Sequence, residues 1–205
     1  MHTDKREIII DAAIELFAIK GFEGSSIREI AQSAGVNLAM INYYFGSKEK
    51  LFEQIILHKA HTIRSSIDEI LNNVLLSHRD KLEQLLYMHV ERLFANRHFH
   101  RVIHQELMLS KRTHLQDMIV SSLAPNSLAV KNLIREGIQK GDFKDADVDL
   151  LVATFFGTVN YLVSSRRFCN RMLNRDDAYI PYEDEQFRHR VKAHLRAMVQ
   201  TNLIK

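Results

Sequence analysis

Side chains suited to binding phosphate groups and base edges are concentrated in one part of this sequence. Ser25, Ser26 and Arg28 stand at the start of a predicted short helix, and Lys48 stands at the start of a later, long one. Hydroxyl groups, cations and the N–H groups at a helix N-terminus all bind phosphate oxygens. A second short helix between them is predicted to expose Asn37, Ala39, Met40, Asn42 and Tyr43. This grouping favours a surface that contacts nucleic acid.

The spacing of three residues inside this region predicts a helix-turn-helix. Ala31, Gly35 and Ile41 follow the pattern Ala-x3-Gly-x5-Ile. Two short helices that cross closely need a small side chain at the crossing, a glycine in the turn and one buried aliphatic residue on the second helix. The same spacing also fits an ordinary helical hairpin, but the phosphate-binding groups on both flanks favour a DNA-reading element.

The run GFEGSSIREIAQSAGVNLAMINYYFGSKEKLF, from Gly21 to Phe52, resembles the N-terminal domain of the TetR/AcrR family of bacterial transcriptional regulators. The resemblance rests on three stretches: Gly-Phe followed by two serines and Ile-Ala, then Ala-Gly-Val, then Tyr-Phe followed by Ser-Lys and a leucine. At the level of motifs it covers about the first 55 residues, and the rest of the chain agrees with the family only in length and helicity.

The resemblance implies roles for individual residues. Ser25, Ser26 and Arg28 are expected to approach phosphates, and Lys48 to clamp the DNA backbone. The face expected to enter the major groove is made up of Asn37, Leu38, Ala39, Met40, Asn42 and Tyr43. Asn42 departs from the family, which most often has tyrosine there, and its amide can pair bidentately with adenine. Tyr43 remains as a contact for a phosphate or a thymine methyl.

The resemblance also implies a mechanism. Such proteins are homodimers built from their last two long helices, and their DNA-binding heads read half-sites of a palindrome roughly one turn, ~34–36 Å, apart. A small molecule that enters the helical domain shifts the helix after Ser47, so the heads lose their spacing and repression is relieved. The partners expected are therefore a double-stranded DNA operator, a small-molecule effector of unknown identity and a second copy of the chain.

Hydrophobic periodicity predicts an all-α protein with two parts. An N-terminal three-helix bundle with the helix-turn-helix occupies residues 1–50, continuing into a linking helix at 47–73, and a larger helical domain for effector binding and dimerisation occupies 51–205. The predicted helices lie at 4–20, 26–34, 37–44, 47–73, 79–96, 98–110, 113–140, 146–167 and 183–203. Apolar stripes for a dimer are predicted on the last two, at Leu150, Ala153, Phe156 and Gly157, and at Val191, Leu195, Met198 and Val199.

The amino-acid composition excludes several classes of protein for this chain. It is 46 % hydrophobic and 26 % charged, with only seven glycines and two prolines, which nearly excludes an all-β fold. The single cysteine excludes a disulfide scaffold and a Cys-rich zinc module. The basic excess lies at 166–205, so net charge gives no support to an N-terminal DNA site. No apolar stretch or leader pattern indicates a membrane span or secretion, and a cytoplasmic location is expected.

An effector pocket is expected among inward-facing aromatic residues, methionine and a few polar groups of the helical domain. The candidates are Met88, His89, Arg92, Phe99, Ile103, His104, Phe155, Phe156, Asn160 and Tyr161. Each of these side chains also fits an ordinary core position, because aromatic residues at helical spacing occur in any helical core.

Two further groups of residues are weighed against simpler interpretations. His98, His100 and His104 lie close in sequence, with Glu106 nearby, but scattered surface histidines explain them better and no metal site is predicted. Cys169 has arginines near it that could lower the thiol pKa, as in a redox sensor, and a plain unreactive thiol is the preferred interpretation.

No enzyme motif is present, and neither an enzymatic activity nor a cofactor is predicted. The sequence has no Gly-rich phosphate loop, no nucleophile elbow and no distinctive pair of carboxylates. The function predicted is a ligand-responsive repressor that binds DNA. The alternative is an all-helical enzyme or a partner-binding adaptor, in which the exposed apolar side chains of Ala39, Met40 and Tyr43 would have no evident use.

Overall fold

The computed structural model describes residues 4–109 and 112–204, and within those ranges the regular structure is entirely helical. The ten α-helices of this described part are α1 (Lys5–Lys20), α2 (Ile27–Ser33), α3 (Leu38–Phe45), α4 (Lys48–Asn72), α5 (His78–Ala95), α6 (Arg97–Leu109), α7 (Thr113–Gln139), α8 (Val148–Ser164), α9 (Arg166–Met172) and α10 (Glu185–Leu203). The predicted all-α fold class is confirmed.

Short-range hydrogen bonds set the ends of the first helices, as the sequence predicts. Ser26 and Glu29 form a capping box, in which the Glu29 N–H donates to Ser26 Oγ at 3.2 Å and the Ser26 N–H donates to Glu29 Oε2 at 2.8 Å. Asn37 Oδ1 accepts from the Met40 N–H at 2.9 Å and caps α3. Gly35 has a φ of 63°, which a side chain would strain, and this residue makes the turn between α2 and α3.

The predicted helix at 146–167 is two helices in the structure. The backbone of Ser165 is extended, with φ −147° and ψ 112°, and its hydroxyl accepts from the Phe168 N–H at 3.4 Å to cap α9. No single helix of the described ranges is long and apolar enough to span a bilayer. Only the bent pair Val148–Leu162 and Arg166–Met172, taken together, reaches the required length and composition.

The chain divides into two compact units. Unit 1 contains the residues up to Thr62 together with His98–Leu123, and unit 2 contains Ile63–Arg97 together with the residues from Ala124 onward. Helices α4 and α7 each have residues in both units. These units differ from the sequence division at residue 50, because α6 and the first turns of α7 pack with the N-terminal helices.

The core of unit 1 holds the helix-turn-helix in place. Ile41 is fully buried and Ala31 is 5 % exposed, as expected for residues at a close helix crossing. Three aromatic rings support the loop between α1 and α2: the Phe22 ring lies 5.4 Å from that of Phe17 and 5.3 Å from that of Phe52, between centroids. The short helices α2 and α3 therefore pack on a buried apolar core.

In unit 2, α5 packs against α8 and α10. Val191, Leu195 and Val199 of α10 are at most 5 % exposed and belong to the core of this unit. The prediction that they form a dimer stripe is therefore wrong, because this face of α10 packs in the core of its own unit. On α8, by contrast, Leu150 is 67 % exposed, and Ala153 and Gly157 are exposed as well.

Candidate nucleic-acid interface and effector cavity

Helix α3 presents one face to solvent and buries the other. Asn37, Ala39, Asn42 and Tyr43 are exposed, with Tyr43 at 84 %, and Leu38 and Met40 are half-buried. Ile41 and Phe45 form the buried side, at 0 % and 5 %. The structure thus brings the six predicted groove residues together along one short helix.

Sequence reasoning missed Tyr44 beside this face. Its side chain is 39 % exposed, and its ring contacts that of Tyr43 edge to face, with 5.2 Å between centroids. Tyr44 lies one helical turn after Met40, so the 3.6-residue period places it at the edge of the same face. The two rings together form an exposed aromatic pair at the end of α3.

The start of α2 combines exposed Ser26 and Arg28 with an ion pair. Lys20 Nζ donates to Glu29 Oε1 at 2.6 Å, and this bond, followed by the hydrogen bonds from Ser26, lowers the pKa of Glu29 to about 2. The Ser26 hydroxyl also donates to Glu29 Oε2 at 2.8 Å. Lys20 thus compensates the charge of Glu29, and the exposed side chain of Arg28 stands beside this pair, where a phosphate contact stays a prediction.

Ser25 does not face solvent, contrary to the expected phosphate contact. Its side chain is 3 % exposed, and its hydroxyl lies within hydrogen-bonding distance of two carbonyl oxygens near the end of α1, 2.8 Å from Gly21 O and 3.2 Å from Leu16 O. These contacts hold the α1–α2 loop against α1. The role of Ser25 in this structure is therefore to shape the loop, because its neighbour Ser26 takes the exposed position.

Lys48 braces the same loop. Its ammonium group donates to Phe22 O at 2.9 Å and to Ser25 O at 3.0 Å, and it lies 4.4 Å from the centroid of the Phe22 ring. An ammonium group has three N–H donors. Two of them hold backbone carbonyls, so the structure assigns Lys48 an internal role, and its contact with the DNA backbone stays a prediction.

The predicted effector residues do not form one group. Phe99 and Ile103 are 3 % and 8 % exposed in the core of unit 1, and His104 is exposed on the same helix, α6. They therefore belong to a different compact unit from the candidates on α5 and α8, and their assignment to an effector pocket stays a prediction. The helical pattern of α6 shows that one face is buried but not which unit buries it.

The remaining candidates lie in unit 2, where three of them line a cavity. His89, Phe155 and Phe156 surround it together with Leu85, Leu86, Val130 and Val152. Its volume is about 10 Å³, close to that of one water molecule. The His89 ring packs edge-on against Phe156, with 4.6 Å between centroids. The residues that line the cavity come from α5, α7 and α8.

The other candidates of unit 2 do not line this cavity. Met88 is half-buried and packs on the core, while Asn160 and Tyr161 are exposed on α8. Arg92 Nη2 donates to Ser66 Oγ at 2.6 Å, and burial lowers the pKa of its guanidinium. Arg92 lies three residues after His89, one of the residues that line the cavity, on the same helix α5.

The histidines of α6 and Cys169 are the two minor candidates. In the described ranges no three His, Cys, Asp or Glu side chains are grouped closely enough to hold a metal ion. Cys169 is 1 % exposed, and burial raises the pKa of its thiol. A raised pKa lowers the fraction of reactive thiolate, so the redox-sensor interpretation finds no support.

Comparison with known proteins matches both parts of the chain. The family described as bacterial regulatory proteins, tetR family, matches residues 9–55, and the family described as tetracyclin repressor-like, C-terminal domain, matches residues 75–164. A fatty acid metabolism regulator protein of Bacillus subtilis is 28 % identical over 158 residues, which cover 77 % of this chain and 80 % of that protein. An HTH-type transcriptional repressor of Mycolicibacterium smegmatis is 27 % identical over 150 residues, covering 72 % of each chain.

Solved structures show the same fold. The fatty acid degradation regulator FadR of Bacillus halodurans superposes with a TM-score of 0.71 at 25 % identity, covering 96 % of both chains. The transcriptional regulator FadR of Bacillus subtilis, solved in complex with stearoyl-CoA, superposes with a TM-score of 0.71 at 24 % identity, covering 94 % of this chain and 97 % of that one.

A helix-turn-helix with an exposed second helix, joined to a larger helical part, defines a DNA-binding transcriptional regulator. This chain belongs to the tetR family of bacterial regulatory proteins. The relatives are regulators and not enzymes, so the alternative of a helical enzyme or adaptor is not supported.

Proposed function

We propose that the protein is a repressor whose homodimer binds a palindromic operator through α3 and releases it on binding an amphipathic effector with a long apolar chain. The observation that carries the proposal concerns α3. Its outer face is largely exposed, while Ile41 and Phe45 are buried on its inner face. The proposal includes a cytoplasmic location, where a bacterial operator is found.

The outer face of α3 supplies the base contacts in this proposal. The Asn42 amide offers a donor and an acceptor to adenine, and the aromatic pair of Tyr43 and Tyr44 offers apolar contact to thymine methyl groups or hydroxyls to phosphates. Arg28 and the third N–H of Lys48 bind the flanking phosphates. Phosphate contacts fix the register and the α3 contacts provide the specificity.

The dimer is proposed to form through the exposed face of α8. Leu150, Ala153, Gly157 and Tyr161 follow one another at spacings of three and four, so they lie on one side of the helix. Small residues at two of the four positions allow a partner helix to approach closely. An isologous contact of this face with itself brings two heads to the two halves of a palindrome.

The apolar cavity of unit 2 supports an effector with a hydrocarbon chain. Of the seven described residues in its lining, six are apolar and His89 is polar. Two relatives regulate fatty acid metabolism or degradation, and one structural neighbour binds stearoyl-CoA. An acyl chain must enlarge the cavity of about 10 Å³, so binding is coupled to movement of the helices around it.

The proposed DNA contact predicts the effect of Tyr43→Ala. A duplex is first selected from a random-sequence library with the wild-type protein, and it is expected to be a palindrome with half-sites about 10–10.5 base pairs apart. Tyr43→Ala is expected to bind this duplex about 5- to 100-fold more weakly, as measured by fluorescence anisotropy. Its thermal stability should stay unchanged, because 84 % of the side chain is exposed.

Ile19→Ala is the matched control, since it removes a 63 % exposed apolar side chain from α1 of the same unit. This variant is expected to bind the duplex like the wild type. If Tyr43→Ala and the wild type bind the duplex with equal affinity, the proposal that α3 contacts the DNA is contradicted.

The proposed release predicts a reciprocal coupling with stearoyl-CoA as the probe. Stearoyl-CoA is expected to weaken duplex binding by about 5- to 150-fold, and the duplex must weaken stearoyl-CoA binding by the same factor, because both shift one equilibrium. Isothermal titration calorimetry with and without the duplex measures both affinities. Coenzyme A without an acyl chain is the control and should leave duplex affinity unchanged. Equal stearoyl-CoA affinity in both titrations would contradict release by an acyl effector.

A further inference from the structure

Two cations lie close to the ring of Phe22, in the loop between α1 and α2. The ring is 4 % exposed, and both Lys48 Nζ and Arg112 Cζ lie 4.4 Å from its centroid. A cation over a desolvated aromatic face is attracted more strongly than an exposed one. The arrangement joins three separate segments of unit 1: the α1–α2 loop, the start of α4 and the residue before α7.

Arg112 is fixed by acidic partners as well as by the ring. Its Nη2 donates to both carboxylate oxygens of Glu106, at 2.8 and 2.7 Å, and the Glu106 residue is only 6 % exposed. Its Nη1 donates to Glu23, the loop residue next to Phe22. One guanidinium group thus binds the end of α6 and two neighbouring residues of the α1–α2 loop.

This loop leads directly into the proposed DNA surface. Ser25 and Ser26 follow it, and Ser26 caps α2, at whose start Arg28 stands. Lys48 holds the loop through Phe22 O and Ser25 O. A shift of the loop therefore moves the N-terminus of α2 and the ammonium group of Lys48 together.

Helix α7 begins at Thr113, directly after Arg112, and its later residues include Val130, which lines the cavity of unit 2. We infer that Arg112 is a positioning residue that holds the α1–α2 loop in the DNA-binding shape and makes that shape depend on the position of α7. The inference rests on the proposed function. A displacement of the start of α7 is thereby expected to weaken DNA binding.

The test compares arginine variants on the duplex selected by the wild-type protein. Arg112→Gln is expected to bind about 5- to 20-fold more weakly, with an unchanged slope of log K against log salt, because Arg112 itself touches no phosphate. Arg28→Gln, which removes a proposed phosphate contact, should lower that slope by about one. Arg101→Gln removes an exposed charge from α6 and should change neither affinity nor slope.

Two further measurements separate positioning from general loss of structure. Stoichiometric titration gives the active fraction of each variant, so that unfolded protein is not counted as weak binding. Hydrogen exchange without DNA should be faster at residues 22–28 in Arg112→Gln than in Arg101→Gln. Arg112→Lys keeps the charge over the ring but loses the fork that binds Glu106 and Glu23 together, and it should restore part of the affinity.

The outcomes distinguish this inference from the proposed function. If the wild-type protein selects no duplex, the proposed function fails, and this inference fails with it. If the wild type selects a duplex and Arg112→Gln binds it with unchanged affinity, or with unchanged exchange at residues 22–28, only the inference is overturned. A salt slope lowered by one in Arg112→Gln would also overturn it, because Arg112 would then be a direct DNA contact.

Discussion

Replacing Leu150 with glutamate is expected to convert the protein from a dimer to a monomer and to weaken duplex binding by about 100-fold or more. Leu150 is 67 % exposed on the α8 face proposed for dimerisation. In a two-fold interface each substitution occurs twice, so two carboxylates would be buried near each other without partners. A monomer has one helix-turn-helix and binds one half-site, so it loses the affinity that a dimer gains by binding both half-sites at once.

Multi-angle light scattering measures the first effect, with a mass near 23.9 kDa expected for the variant and twice that value for the wild type. Leu128→Glu is the matched control, because Leu128 is 51 % exposed on α7 and outside the α8 face. It should remain dimeric and bind the duplex. A dimeric Leu150→Glu with normal duplex affinity would show that dimerisation uses another surface.

The second large effect is expected from Phe52→Ala, which should lower the free energy of unfolding of unit 1 by about 3–5 kcal/mol. Phe52 is fully buried, and its ring contacts those of Phe17 and Phe22 with centroid distances of 5.7 and 5.3 Å. Alanine would leave a cavity beneath the α1–α2 loop, and rigid neighbouring helices close such cavities only in part.

Urea unfolding followed by circular dichroism checks this value, with fluorescence of a probe attached to unit 1 to separate that unit from the rest. Leu57→Ala on the same helix is the control, since Leu57 is 45 % exposed and its truncation should cost under about 1 kcal/mol. If Phe52→Ala lowers the free energy of unfolding no more than Leu57→Ala does, the aromatic cluster does not stabilise unit 1.

The features that the sequence predicts well are those decided within a few residues. The capping box of Ser26 and Glu29 and the cap of Asn37 each join atoms three residues apart. The glycine turn at Gly35 requires a positive φ that few other residues adopt. Because these signals are local, the helix-turn-helix and its exposed face could be predicted from residue types and spacing alone.

The features that it misses depend on distant partners. Ser25 and Ser26 are the same residue type, and only the path of the loop makes Ser25 donate towards α1 while Ser26 caps α2. An apolar stripe shows that one face of a helix is buried but not what covers it. The stripe of α10 thus predicts a dimer surface at Val191, although this side chain lies in the core of its own unit.

Unit 1 is built from two separate segments of the chain, which limits how its DNA-binding part can be fused to the effector domain of another regulator. A fusion that joins the first 62 residues to a foreign sensing part would leave out α6 and the start of α7. The head would then lose Phe99, Val102, Leu115 and Ile119 from its core, all at most 4 % exposed, and Arg112 beside Phe22. A working hybrid must therefore carry residues 98–123 along with the N-terminal segment, which requires three crossover points in the gene.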